Sequence, residues 1–105
     1  MNTLINLNDI NFSEYMTKEE DLIIFNFVTE WCGPCKMLTL ILETISQEEN
    51  IKVFKIDVDE NPNLTSIFKI TSVPVTIFLD KGKEICQFKG IKSKEELKEK
   101  LKELR

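Results

Sequence analysis

The chain contains no histidine. That one absence removes Cys-His proteases, Ser-His-Asp hydrolases and every zinc site that uses imidazole. Proton transfer near pH 7 must then use a shifted carboxylate, thiol or lysine, or water. Cysteine is scarce too, with three residues, an odd count that builds no disulfide scaffold. No apolar run approaches the ~18 residues of a membrane span. The opening Met1-Asn2-Thr3-Leu4-Ile5-Asn6 shows no basic segment leading into a long apolar stretch, so a secretory leader is not expected. A cytoplasmic location follows as the expectation. Nor is there an excess of positive charge: 14 basic against 18 acidic residues give a net charge of −4. Nucleic acid requires a basic footprint, so no nucleic-acid or membrane partner is expected. Lysines crowd the last third, but acids alternate with them from Lys94 to Lys100, as on a solvated helix face.

What is present is an ordinary globular mixture, 42% hydrophobic and 30% charged over 105 residues, which predicts a single domain spanning 1–105. Leu4 to Leu7 reads as a short edge strand. From Asn8 onward Ile10, Phe12, Tyr15 and Met16 follow helical spacing, and Glu19-Glu20-Asp21 closes the segment. Leu22 to Val28 is nearly continuous in β-branched and aromatic residues, the pattern of a strand buried on both faces. Pro34 to Glu49 carries Leu38, Ile41, Leu42 and Ile45 at helical spacing, and Ile51 to Val58 reads as a strand. Asp57 and Asp59, near that strand's end, are expected to face solvent or cap the next element. Asn61-Pro62 signals a short helix, with asparagine as cap and proline in the first turn. Val73 to Leu79 is a strand with proline at its start, Lys81-Gly82 turns the chain, and Lys83 to Lys89 returns as a hairpin. Ser93-Lys94-Glu95-Glu96 fits a capping box ahead of a stripe of Leu97, Leu101 and Leu104. The order predicts an α/β protein: three layers, α/β/α, with a central mixed five-stranded sheet and four helices.

The chemistry concentrates at Trp31-Cys32-Gly33-Pro34-Cys35-Lys36. Two cysteines separated by two residues serve either metal or redox chemistry. A structural zinc needs four ligands, and only Cys86 could join the pair, so redox chemistry is the better reading. The pair lies where a buried strand passes into a long helix, and free backbone N–H groups there stabilise an anion. Thiolate is the attacking species, and a helix start can bring a cysteine pKa down to about 3.5–7.5. Cys35, three residues on, is a neighbour of Cys32 on the helix surface and close enough to form a disulfide. Cys32 would attack a substrate disulfide, and Cys35 would then displace the product. Gly33 and Pro34 keep the turn tight. Cys86, in the hairpin return strand, reads as a small core filler.

The hexapeptide, preceded by Glu30, resembles the active-site signature of the thioredoxin family, and the likeness covers essentially the whole chain. Lys55-Ile56-Asp57-Val58-Asp59 resembles that family's third strand, Asn61-Pro62 its next helix start, and Thr71-Ser72-Val73-Pro74 its cis-proline loop. Gly82 matches its hairpin glycine, and Lys89-Gly90 the glycine beside its substrate groove. The resemblance implies the thioredoxin fold, a cis Val73–Pro74 bond and a contact surface of Trp31, Val73, Pro74, Gly90 and Ile91 around the thiols. It implies a monomeric protein-disulfide reductase without cofactor, recharged by a thioredoxin reductase. Ribonucleotide reductase, peroxiredoxins and methionine sulfoxide reductases are the implied substrates.

Three positions depart from the family. Asn26 stands where a buried aspartate, six residues before the first cysteine, helps deprotonate the second thiol. Asparagine cannot accept and return a proton, which predicts slower release of the mixed disulfide and leaves Lys55 without its usual partner. Leu40 replaces a helix-kinking proline, and Val28 a frequent aromatic. Two other functions compete. A disulfide oxidase or isomerase on the same fold usually places histidine between its cysteines, where this chain has Gly33-Pro34. A redox-independent binding module would use the apolar groove alone.

Overall fold

The computed structural model describes residues 4–105; Met1–Thr3, within the segment read above for a leader, lie outside the described residues. Nine elements follow in order: β1 (Leu4–Asn6), α1 (Phe12–Lys18), β2 (Leu22–Val28), α2 (Gly33–Glu49), β3 (Lys52–Asp57), α3 (Pro62–Ile67), β4 (Val75–Asp80), β5 (Lys83–Lys89) and α4 (Lys94–Leu104). The sheet runs β1-β3-β2-β4-β5, with β1, β3 and β2 parallel and β4 and β5 each antiparallel to its neighbour.

β2 has strands on both sides and helices on both faces, and Ile23 to Val28 are all buried. Its alternation divides the core. Ile23, Phe25 and Phe27 pack with Phe54, Ile56, Ile77 and Leu64 beneath α1 and α3. Ile24 joins Val53 and Phe78 beneath Leu38, Leu42 and Ile45 of α2 and Leu97 and Leu101 of α4. The continuous apolar run is therefore two interleaved stripes, one for each layer. The β4–β5 turn places Lys81 at φ 53° and Gly82 at φ 81°, a tight hairpin in which both central residues are left-handed.

The structure corrects three boundaries. Ile10 is 92% exposed and outside the helix, which begins at Phe12. The Asn8 side chain accepts from the N–H groups of Ile10 and Asn11 at 2.9 and 2.8 Å, folding this stretch into a turn before a helix can start. Asn61 sits at the cap position of α3 without capping it. Its side chain instead accepts from Asp9 N–H at 3.0 Å and donates to the Asp57 carbonyl at 2.9 Å. Asp9, from the other end of the chain, supplies the cap: its oxygens accept from Leu64 and Asn63 N–H at 2.9 and 3.1 Å. Finally, β4 begins at Val75, so Pro74 precedes the strand and takes no place in its ladder.

The capping box of α4 forms as expected, with Ser93 and Glu96 bonding reciprocally. The lysine-rich face is less solvated than its composition implies. Glu48 of α2 holds Lys94 at 2.8 Å and also Lys98, while Glu49 holds Lys98 and Arg105, each at 3.5 Å. The two ammonium groups hold the Glu48 carboxyl below its ordinary value of 4.5.

Two consequences can be measured by urea unfolding. Asp9→Ala should lower stability by about 1–2 kcal/mol, because two helix-start N–H groups lose their acceptor. The depressed Glu48 carboxyl contributes stability that is present above pH 4.5 and lost as pH falls through its lowered native value. Glu48→Gln should therefore flatten the acid side of the stability profile, and also its far alkaline side, where Lys98, held above its ordinary 10.5 chiefly by the same carboxylate, loses its proton.

Candidate active site

Cys32 is the N-cap of α2, with extended backbone at φ −93° and ψ 111°. Pro34 occupies the first turn, where a missing N–H costs nothing. The Cys32 sulfur accepts a hydrogen bond from the Cys35 N–H at 3.1 Å, so a free donor of the helix start points at the sulfur. Cys32 and Cys35 are joined as a disulfide, their Cα atoms 5.2 Å apart. Cys35 is 1% exposed and Cys32 8%, so Cys32 is the more accessible of the two residues. The two pack with Val28 and Val73 in a small apolar cluster. α2 runs unbroken past Leu40 to Glu49, and Leu40 is exposed.

Of the residues expected around the thiols, Val73 packs against the cysteines. The Val73–Pro74 bond is cis, and the Pro74 carbonyl accepts the Gly90 N–H at 2.9 Å, tying the two loops together. Gly90 has φ 81°, which a side chain would strain. Trp31 and Ile91 are exposed. Sequence reasoning missed what holds the indole: Trp31 Nε1–H donates to Asp59 at 3.2 Å, across 28 residues. No local signal joins Asp59 to Trp31.

Behind the disulfide lies a polar row. Asn26 pairs in register with Lys55 of β3 and Thr76 of β4, so the three side chains share the α2 face of the sheet. Asn26 is fully buried and its Nδ2 donates to Thr39 Oγ1 of α2 at 3.1 Å. Its Oδ1 has no hydrogen-bond partner among the described residues, nor do the hydroxyls of Thr29 and Thr76. Lys55 forms no ion pair among the described residues; with Glu30, Lys36, Thr39 and Cys35 it lines a cleft of about 530 Å³. Thr39 was also missed, since a lone threonine in a helix carries no sequence signal.

Cys86 lies apart from all this, half-buried against the core under α4. Burial pushes its thiol above the ordinary value of 9.0, against a smaller opposing effect of the Lys100 ammonium. Near neutral pH it is a protonated, unreactive filler. Among the described residues no group of three or more Cys, Asp and Glu side chains could hold a metal ion.

The thioredoxin family model matches residues 3–103. The chain belongs to the thioredoxin family. The thioredoxin of Buchnera aphidicola subsp. Acyrthosiphon pisum is 38% identical over 105 residues, covering 98% of this chain and 97% of that protein. The thioredoxin of Buchnera aphidicola subsp. Schizaphis graminum is 40% identical over 106 residues, with the same coverage. Among solved structures, a mutant thioredoxin from Halobacterium salinarum NRC-1 superposes with a TM-score of 0.87 at 28% identity, covering 95% of this chain and 88% of that one. This member of the thioredoxin family therefore has the thioredoxin fold and is a thiol–disulfide oxidoreductase, a protein-disulfide reductase. Membership implies partners of two kinds, a reductase and proteins bearing disulfides. Among the described residues, no helix is long and apolar enough to cross a membrane.

Trp31 is the sole tryptophan, so its tether can be read directly. Asp59→Ala should lower the steady-state fluorescence anisotropy of Trp31 while changing stability by less than about 1 kcal/mol, the worth of one exposed hydrogen bond.

Proposed function

We propose that the protein, as a single domain spanning residues 1–105, reduces disulfides in other cytoplasmic proteins by a two-step exchange and is recharged by a thioredoxin reductase. The Cys32 thiolate attacks a substrate disulfide and forms a mixed disulfide, releasing the first substrate thiol. Cys35 then attacks the Cys32 sulfur, the second substrate thiol leaves, and the Cys32–Cys35 disulfide remains. The observation that carries this reading is the Cys35 N–H aimed at the Cys32 sulfur at 3.1 Å, on the more exposed of two adjacent cysteines. That hydrogen bond and the helix start favour the sulfur as an anion, the form that attacks.

Trp31, Val73, Pro74, Gly90 and Ile91 would receive an extended segment of the substrate, with the Val73–Pro74 loop offering backbone hydrogen bonds. Such recognition is shallow and tolerant. It suits several substrates, of which ribonucleotide reductase, peroxiredoxins and methionine sulfoxide reductases are those the family suggests. The protein would act as a monomer and without a bound cofactor. Gly33-Pro34 between the cysteines supports reduction over oxidase or isomerase activity, and a measured potential nearer that of a disulfide isomerase would reverse the direction.

Insulin reduction tests the reading, first with dithiothreitol and then with candidate reductases. Wild type should turn over; Cys35→Ser should lose turnover and accumulate stable mixed disulfides that name the substrates. A Cys32 inert to alkylation near neutral pH would overturn it. Asn26 and Lys55 would tune the second step. Asn26→Asp restores a group able to take the Cys35 proton, and general bases contribute about 10²–10⁴-fold. Single-turnover release of the mixed disulfide should accelerate by about tenfold or more; an unchanged or slower release would remove Asn26 from the mechanism.

A further inference from the structure

Cys35 must become a thiolate to resolve the mixed disulfide, yet it is buried against Val28 of β2, and the next residue of that strand on the same face, Asn26, is a neutral amide. The structure offers another source of stabilisation. In α2, Thr44 donates its hydroxyl to the carbonyl four residues back at 3.1 Å, and Thr17 in α1 does the same at 2.7 Å. Thr39 makes no such bond among the described residues. Its hydroxyl oxygen accepts from Asn26 Nδ2 at 3.1 Å, which leaves its proton uncommitted. Side chains on a helix lie over the preceding turn, and the residue one turn before Thr39 on that face is Cys35. Thr39 and Cys35 also line the same cleft, whose charged groups are Glu30, Lys36 and Lys55.

We propose that the Thr39 hydroxyl donates a hydrogen bond to the Cys35 thiolate as it resolves the mixed disulfide, and that Asn26 is the positioning residue that turns the hydroxyl toward the sulfur. The inference rests on the disulfide-reductase reading above. In the step it serves, the Cys35 S–H gives its proton to solvent and the thiolate attacks the Cys32 sulfur. The Cys32–Cys35 bond forms as the Cys32–substrate bond breaks. The electron pair leaves on the substrate sulfur, which takes up a proton, so the substrate gains the two electrons the protein loses. Thr39 gives up nothing; its hydrogen bond only stabilises the anion. An aspartate at position 26 could only accept, and would draw the Thr39 proton toward itself and away from Cys35. The amide and the threonine therefore act as a pair.

Two readouts test this on the intact, reduced protein: the pH titration of Cys35 followed by the ¹³C shift of its Cβ, and the single-turnover rate of mixed-disulfide release at pH 7. Thr39→Val preserves shape and removes the donor. It should raise the Cys35 pKa by about one and slow release about tenfold, the size of one hydrogen bond to a charged group. Thr39→Ser should stay close to wild type in both. In an Asn26→Asp background, Thr39→Val should slow release by less than about threefold. A Thr39→Val protein with the wild-type titration and rate would overturn the proposal. So would failure of Thr39→Ser to retain both, or a loss just as large in the Asn26→Asp background. Failure of the underlying reading is distinguishable, because wild type itself would then fail to reduce insulin.

Discussion

One backbone N–H, that of Cys35, and the sulfur it points at define what the rest of the chain has to arrange. For the bond to exist, β2 must stop at Val28 and α2 must start at Gly33, leaving Cys32 just outside the helix with extended backbone. Moved one turn into the helix, the same cysteine would face N–H groups already committed to carbonyls. At the cap it faces free donors and the positive end of a 17-residue helix. The contrast with Cys86 shows that cysteine chemistry here is a matter of place. Its surroundings bury it and keep the proton on its sulfur.

The sheet explains how residues some forty positions apart come to share the site. β2 and β4 are antiparallel neighbours, with Phe27 opposite Val75. The end of β2 therefore meets the beginning of β4, and the loop just before β4 carries Val73 and Pro74 onto the thiols. β5 pairs with β4 so that Lys89 lies opposite Val75, which brings Gly90 to the Pro74 carbonyl. Both cysteines, the cis-proline loop and the glycine loop thus lie at one end of the three strands. Their meeting there is a consequence of the strand order.

The parts of this arrangement legible in the sequence are those fixed by local chemistry. Leu22 to Val28 could be read because burial on both faces demands an uninterrupted apolar strand, and Ser93-Lys94-Glu95-Glu96 because a capping box closes within four residues. The cysteine pair could be read for the same reason, and the groove residues through family resemblance. What escaped depends on partners far along the chain. Asn61 looks like a cap, but Asp9 reaches across to cap α3 and leaves Asn61 to staple the loop. Ile10 fits a helical stripe until the Asn8 side chain claims the N–H groups the helix would need. Asp59 and Thr39 have ordinary surroundings in sequence and gain meaning only from Trp31 and Asn26.

In the proposed exchange, the neutral residue at position 26 acts on the two steps in opposite directions. A buried carboxylate would raise the energy of any second negative charge nearby, so its absence makes each thiolate easier to form. It would also have been the group that takes the proton, so its absence slows the step in which a buried thiol must ionise. On that reading, asparagine favours the first attack. Beside Cys35 the structure places a cleft that also holds Lys55, without an ion-pair partner among the described residues, and Thr39, whose hydroxyl accepts from the Asn26 amide. On the proposed reading, each would lower the energy of an anion at Cys35 without adding a negative charge at position 26. On the proposed reading, such a site favours the anion at the attacking sulfur and relies on hydrogen bonding and solvation to release its product.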